Sequence, residues 1–323
     1  MEESKKAVYA ALFGNLLIAI AKLIAAILGK SATMLAEAYH SFSDVGNQIL
    51  LLIGLAQSKK EPDSSHPFGY GKEQFFYSFV VAMLLFGIAG ILSLQEGIHK
   101  LLNPEPMHNL TLIFVVLGIS VFFELIAFTI AYKELKHEMK RNHYRNIYVT
   151  MKETKDPTLL TVMFEDGLAL ASILIAALSI SLAYFTHNPI YDALGSIIIG
   201  VMLMICALML AAETKKLLVG ESVCDSDKER ITKAIMEISE VNEIVDLRTM
   251  HMGPNEVMLA AELNIKDGLT TDQAEGIIDK IEDNIKKSMP RTKMNCFIEL
   301  EGPTIKHAPK HKRFGGVKRT KLT

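Results

Sequence analysis

The chain has 323 residues, 50% of them hydrophobic, a mean hydropathy of +0.26 and a formal net charge of −2. Soluble domains rarely average so high, so a water-soluble enzyme is disfavoured, and the apolar content excludes a disordered chain. The near-neutral balance argues against nucleic acid as a partner, and the three separated cysteines, Cys206, Cys224 and Cys296, make neither a disulfide framework nor a zinc knuckle.

Six apolar stretches are long enough to cross a bilayer, which takes about 20 residues at ~1.5 Å each. They fall at 8–28, 32–57, 73–99, 108–133, 158–186 and 190–211. The start, MEESKK, carries acids and is followed by no small-residue cleavage site. The first stretch is therefore expected to be an uncleaved span rather than a signal peptide or mitochondrial presequence. Lys and Arg number 2, 3 and 7 at the start, the 58–72 loop and the 133–157 loop, against only Lys30 and Lys100 in the opposite loops. That bias places both termini in the cytoplasm.

From 213 to 302 there are 19 acidic and 12 basic residues, and the last 21 residues hold seven Lys or Arg and no acid. The acidic part reads as α-β-β-α-β. Ser226 and Glu229 predict a capping box opening a helix to about Ser239, and Thr270 with Gln273 predicts another opening a helix to about Lys287. Strands are expected at 243–252 and 256–265 around Gly253-Pro254-Asn255, and a last one from about Lys293 to Glu301. The fold class is thus a membrane α-helical part with six transmembrane helices plus a small cytosolic α+β domain.

Ionisable side chains within a span are costly and point to function. The second stretch holds Glu37, His40, Ser41, Asp44, Asn47 and Gln48, spaced so as to form one polar stripe. His40 and Asp44 stand at i and i+4, and imidazole with carboxylate is a donor set for zinc and similar divalent ions. The alternative is a stripe that only cements helix packing. Glu165-Asp166 in the fifth stretch and Glu124 in the fourth lie at similar depth from the cytoplasmic side and offer further carboxylates, for metal or for a proton relay. Adjacent residues point ~100° apart on a helix, so Glu165 and Asp166 are not expected to face one ion together. Glu124 reads equally well as a buried structural acid.

The stretch AEAYHSFSD at 36–44, the loop HPFGYGKE at 66–73, six spans and the α-β-β-α-β domain resemble the cation diffusion facilitators, over roughly residues 7–302. The resemblance implies a homodimeric, proton-driven metal exporter whose central site uses an H/D-x-x-x-D pair on the second span and another on the fifth. His40 and Asp44 match the first pair, and Asp166 in DGLALAS (166–172) matches the last ligand. Val162 stands where the remaining ligand is expected, leaving Glu165 or water to fill that place. LLVGES (217–222) and TMHMGP (249–254) are similar to a sub-branch with mitochondrial and bacterial members. The family's loop motif D-x-x-H-x-x-x-H reads Asp63, His66 and Tyr70 here, which favours a structural turn over a metal site. The histidine cluster of the soluble domain is replaced by Val245, Glu275 and Phe297, and His251 stands alone, so this domain is expected to dimerise without metal.

The expected organisation is a transport domain at 1–212, a cytosolic ferredoxin-like dimerisation domain at 213–302 and a basic, disordered tail at 303–323. The tail's His307, His311 and lysines offer a second reading, contact with anionic lipid. The expected function is proton-coupled export of a divalent cation, Zn2+ first, with Fe2+, Mn2+ or Co2+ as alternatives. The cation is substrate, and no organic cofactor, covalent chemistry or nucleic acid is implied. The expected location is a prokaryotic plasma membrane, with metal, protons, lipid and a second copy of the chain as partners. The rival reading is a non-transporting membrane metal sensor or scaffold.

Overall fold

A computed structural model of the chain describes residues 2–141, 145–154 and 157–301. The basic tail, with His307 and His311, lies outside the described residues. The chain separates into two compact units. One takes the residues up to Gln57 together with Glu73–Lys215; the other takes Ser58–Lys72 and the chain from Lys216 onward. The connector between the second and third apolar stretches is therefore part of the second unit.

The first unit is helical: α1 (Glu2–Gly29), α2 (Ala32–Ser58), α3 (Glu73–Leu84), α4 (Leu92–Leu102), α5 (Leu110–Arg141), α6 (Ile147–Glu153), α7 (Pro157–Thr186) and α8 (Ile190–Val219). Among the described residues, five helical stretches are long and apolar enough to cross a membrane: within α1, across α3–α4, and in α5, α7 and α8. The sequence reading expected six. The 27-residue α2 is long enough but is not among the five, because its polar stripe dilutes its apolar content. Large apolar side chains such as Phe13, Ile27, Phe122, Phe185 and Leu208 are exposed on the helices, as an apolar solvent permits. The interior is built from Ala25, Met34, Leu85, Ile113, Ile173 and Leu203 with many alanines, the small residues that let helices approach closely.

The third apolar stretch is not a uniform α-helix. A π-helical segment, Leu85–Ile91, joins α3 to α4, and such segments arise where the i→i−4 ladder is locally remade. Here it lies against α8. A Cβ placed on Gly200 of α8 would come within 2.7 Å of the Leu94 backbone nitrogen and 2.9 Å of the Gly90 carbonyl oxygen. Ser196 donates to the Ser93 carbonyl at 2.7 Å. The π/α4 segment and α8 are thus packed backbone against backbone.

The second unit holds α9 (Asp225–Met236), β1 (Val241–Gly253), β2 (Glu256–Ile265), α10 (Thr271–Ser288) and β3 (Lys293–Glu301). β1 and β2 form an antiparallel hairpin, and β3 pairs parallel to β2, with α10 as the crossover that a parallel pair needs. Ile231, Ile235, Leu259, Leu263, Ile277, Ile281 and Ile285 close the core between sheet and helices. The Thr270–Gln273 capping box is present in both directions. The Ser226–Glu229 box is not: α9 begins at Asp225 with Cys224 as its N-cap residue, and the helix ends earlier than expected, at Met236.

Candidate functional site

The polar stripe of α2 faces the interior because its residues recur every three or four positions on an otherwise apolar helix. Glu37, His40, Ser41 and Asn47 are buried. His40 Nδ1 lies 3.7 Å from Asp44 Oδ2, one helical turn away and beyond hydrogen-bonding reach. Both ring nitrogens of His40 and Oδ1 of Asp44 are buried without a hydrogen-bond partner. Buried polar atoms are nearly always paired, with protein groups, water or an ion, and these are the donor types that a cation or a proton would meet.

Asp44 borders a cavity of about 60 Å3, enough for a few water-sized occupants. Glu124 of α5 and both Glu165 and Asp166 of α7 border it too, together with Asn15, Ser41, Gln48 and Val162. Glu165 and Asp166 meet the same space despite the angle between them. Glu165 is held at one oxygen by Asn47 Nδ2, which donates at 2.6 Å across the α2–α7 interface. The cavity thus gathers four carboxylates and several neutral oxygens, while His40 does not border it and meets it only through Asp44, 3.7 Å from its Nδ1. Among the described residues, no three His, Cys, Asp or Glu side chains are grouped closely enough to hold a metal ion in this arrangement.

The sequence reading missed Lys22. This lysine of α1 is almost wholly buried, and its ammonium donates to Glu37 Oε2 and to Ser41 Oγ, each at 2.9 Å. The signal for it is local: a lone charged residue within the apolar stretch 8–28. With Glu37 engaged this way, one carboxylate of the stripe is a charge partner of Lys22.

In the second unit, Asp63 organises the connector. Its Oδ1 accepts from the backbone of Ser65 at 2.9 Å and of His66 at 2.7 Å, and its Oδ2 accepts from the Tyr70 hydroxyl at 2.7 Å. The Tyr70 hydroxyl first, then the His66 N–H, hold the Asp63 carboxyl below its ordinary range. The His66 ring leans on that of Tyr70, with centroids 4.2 Å apart. Both oxygens of Asp63 are thus engaged in an Asx-type turn. The connector also meets the sheet: a Cβ on Gly71 would collide with the Met252 carbonyl oxygen, and Phe68 packs edge-on to Phe297. Val245, Glu275 and Phe297 lie on β1, α10 and β3 respectively. His251 is buried on β1, where its N–H donates to the Glu221 carbonyl at 3.0 Å.

Residues 8–219 match the cation efflux transmembrane domain, and residues 224–302 match the cation efflux protein cytoplasmic domain. The chain is 32% identical over 263 residues to metal tolerance protein C4 of Arabidopsis thaliana, covering 81% of this chain and 57% of that protein. It is 31% identical over 267 residues to the human mitochondrial proton-coupled zinc antiporter SLC30A9, covering 82% and 47% respectively. With the cation-efflux pump FieF of Escherichia coli O139:H28 the identity is 24% over 289 residues, covering 89% of each chain. The chain spans about half the length of the plant and human relatives it matches.

Proposed function

The chain belongs to the cation efflux family of membrane transporters, and from this we propose that it is an antiporter moving a divalent cation out of the cytoplasm in exchange for protons. The observation that carries the reading is the cavity bounded by Asp44, Glu124, Glu165 and Asp166, four acidic residues drawn from α2, α5 and α7, with His40 one helical turn from Asp44. Carboxylates and imidazole in such a setting hold either protons or a divalent ion, since the same lone pairs serve both. Proton arrival from one side and metal arrival from the other are thereby linked, and rocking of helices around the site changes the side to which it opens.

His40, Asp44 and Asp166 are the proposed ligands, with Glu165 and Glu124 as further oxygen donors. Zn2+ is the first substrate, on the strength of the zinc antiporter relative, and Fe2+, Mn2+ and Co2+ suit the oxygen-rich cavity. In this reading α2 is the sixth span, and residues 1–212 form the transport domain. Residues 213–302 join two copies of the chain, as the matched cytoplasmic domain supports. The loop charges put both termini in the cytoplasm, and the bacterial pump relative supports a prokaryotic plasma membrane.

The test is flux of Zn2+, Mn2+, Fe2+ and Co2+ into vesicles carrying the purified chain, with an internal metal dye and a pH dye read together. Metal entry that accelerates with an outward proton gradient, and that alkalises the lumen in step, supports the reading; entry that acidifies the lumen would refute exchange. Metal binding without flux of any of the four refutes it and leaves the sensor.

A further inference from the structure

At the far end of α2 from the connector, a residue of another helix caps it. Asp192, in the first turn of α8, is fully buried. Its Oδ1 accepts from the Ser31 hydroxyl at 2.6 Å and from the Thr33 N–H at 3.2 Å, and its Oδ2 accepts from the Ala32 N–H at 2.8 Å. The Asp192 carbonyl accepts from the Thr33 hydroxyl. A helix N-terminus leaves its first N–H groups without partners and carries partial positive charge, so a carboxylate there is held by charge and hydrogen bonds together.

The cap of α2 is shared: Ser31 Oγ accepts from the Met34 N–H at 3.1 Å, and Asp192 takes the Ala32 and Thr33 N–H groups. What Asp192 adds is a tie between helices. The junction has no slack: a Cβ on Gly195 would come within 2.5 Å of both Thr33 Oγ1 and Ser179 Oγ. α8 is itself packed backbone to backbone on the π/α4 segment. His40 lies eight residues beyond Ala32, about 12 Å along the helix, and Asp44 about 18 Å.

We propose that Asp192 is a positioning residue for transport, pinning the first turn of α2 to α8 so that the His40–Asp44 segment swings about a fixed end. The proposal rests on the metal-transport reading above. In reconstituted vesicles, Asp192→Ala and the milder Asp192→Asn should lower the maximal metal flux at least tenfold. KM, and the dissociation constant of the metal by calorimetry in detergent, should stay within threefold. A role in stability alone would lower the melting temperature and leave flux per folded protein intact.

The double variant Ser31→Asp with Asp192→Ala supplies a carboxylate cap from α2 itself without the tie. It should recover the melting temperature but not the rate; recovery of the rate would overturn the pin. Should the wild-type chain move no metal, the transport reading fails, and a readout independent of flux still decides the pin. In a chain whose native cysteines are changed to Ala, Gln48→Cys reports the exposure of the cavity to a thiol reagent. Adding Asp192→Ala should change the labelling rate at least fivefold, and an unchanged rate would overturn the proposal.

Discussion

Replacing Lys22 by Met tests whether its contact with Glu37 is a true buried ion pair. The two side chains are 1% and 0% exposed and 2.9 Å apart, Ser41 also receives from the ammonium, and Glu37 Oε1 has no partner of its own. Lys22→Met leaves the Glu37 carboxyl without a donor in a low-dielectric interior, which should destabilise the fold by about 3–5 kcal/mol. Glu37→Leu leaves the ammonium equally stranded and should cost a similar amount. The pair replaced together, Lys22→Met with Glu37→Leu, removes both charges along with their desolvation. It should therefore sit near the wild type or above it, by up to about 1–4 kcal/mol. The coupling between the two sites, the double less the two singles, is then at least about 6 kcal/mol, well outside the few tenths expected of independent positions. The chain has no tryptophan, so unfolding is followed in detergent by reaction of a fluorogenic thiol dye with Cys206, which is buried in the first unit. Two single variants that each cost under about 1 kcal/mol and simply add would refute the pair as a structural element.

Asp44→Ala and Asp166→Ala should each remove most metal flux while leaving the protein folded, and Glu165→Ala, with Asn47 keeping its own packing, should cost less; the reverse order in vesicle flux would mean that Glu165 is the principal α7 ligand. Because Val162 borders the cavity with Asp166, Val162→His should raise zinc affinity by calorimetry and sharpen selection of Zn2+ over Mn2+, and equal affinities before and after would place that side chain outside the coordination space. The depressed Asp63 carboxyl lends the connector turn stability that is complete above the ordinary Asp range and lost as pH falls through the lowered value. Tyr70→Phe should shift that loss to higher pH, read as earlier onset of proteolytic cleavage within 58–72 on acidification. The isolated 213–302 fragment should be at least partly dimeric in EDTA by sedimentation, with its melting temperature unmoved by zinc; a rise of several degrees that His251→Ala abolishes would reveal a metal site in this domain.

Much of the candidate site was legible because its members announce themselves locally. A His and an Asp four residues apart in an apolar run converge on one face of any helix, whatever surrounds it. The acids at 124, 165 and 166 were found by the same rule, that charge in a span must have a reason. What could not be read was which of them share a space. Glu165 and Asp166 both reach the cavity, and Glu37 turns away from it to Lys22. These choices depend on how α1, α5 and α7 are rotated against α2, and rotation is set by packing of side chains far apart in sequence.

The sequence by itself determined what depends on composition and near neighbours. Apolar runs must match an apolar solvent, the Thr270–Gln273 box closes within one turn, and strands flank Gly253-Pro254-Asn255 because that turn can reverse the chain. Where local signals compete, as at Ser226–Glu229 against Cys224–Asp225, only the folded chain showed which helix start prevails. The tertiary structure alone decided the long-range pairings: Lys22 with Glu37 over 15 residues, Asn47 with Glu165 over 118, and Ser31 with Asp192 over 161. It also decided that the 58–72 connector belongs to the soluble unit. A buried polar group must find a partner, but the requirement names no partner; the partner is whichever group close packing of the helices brings within ~3 Å.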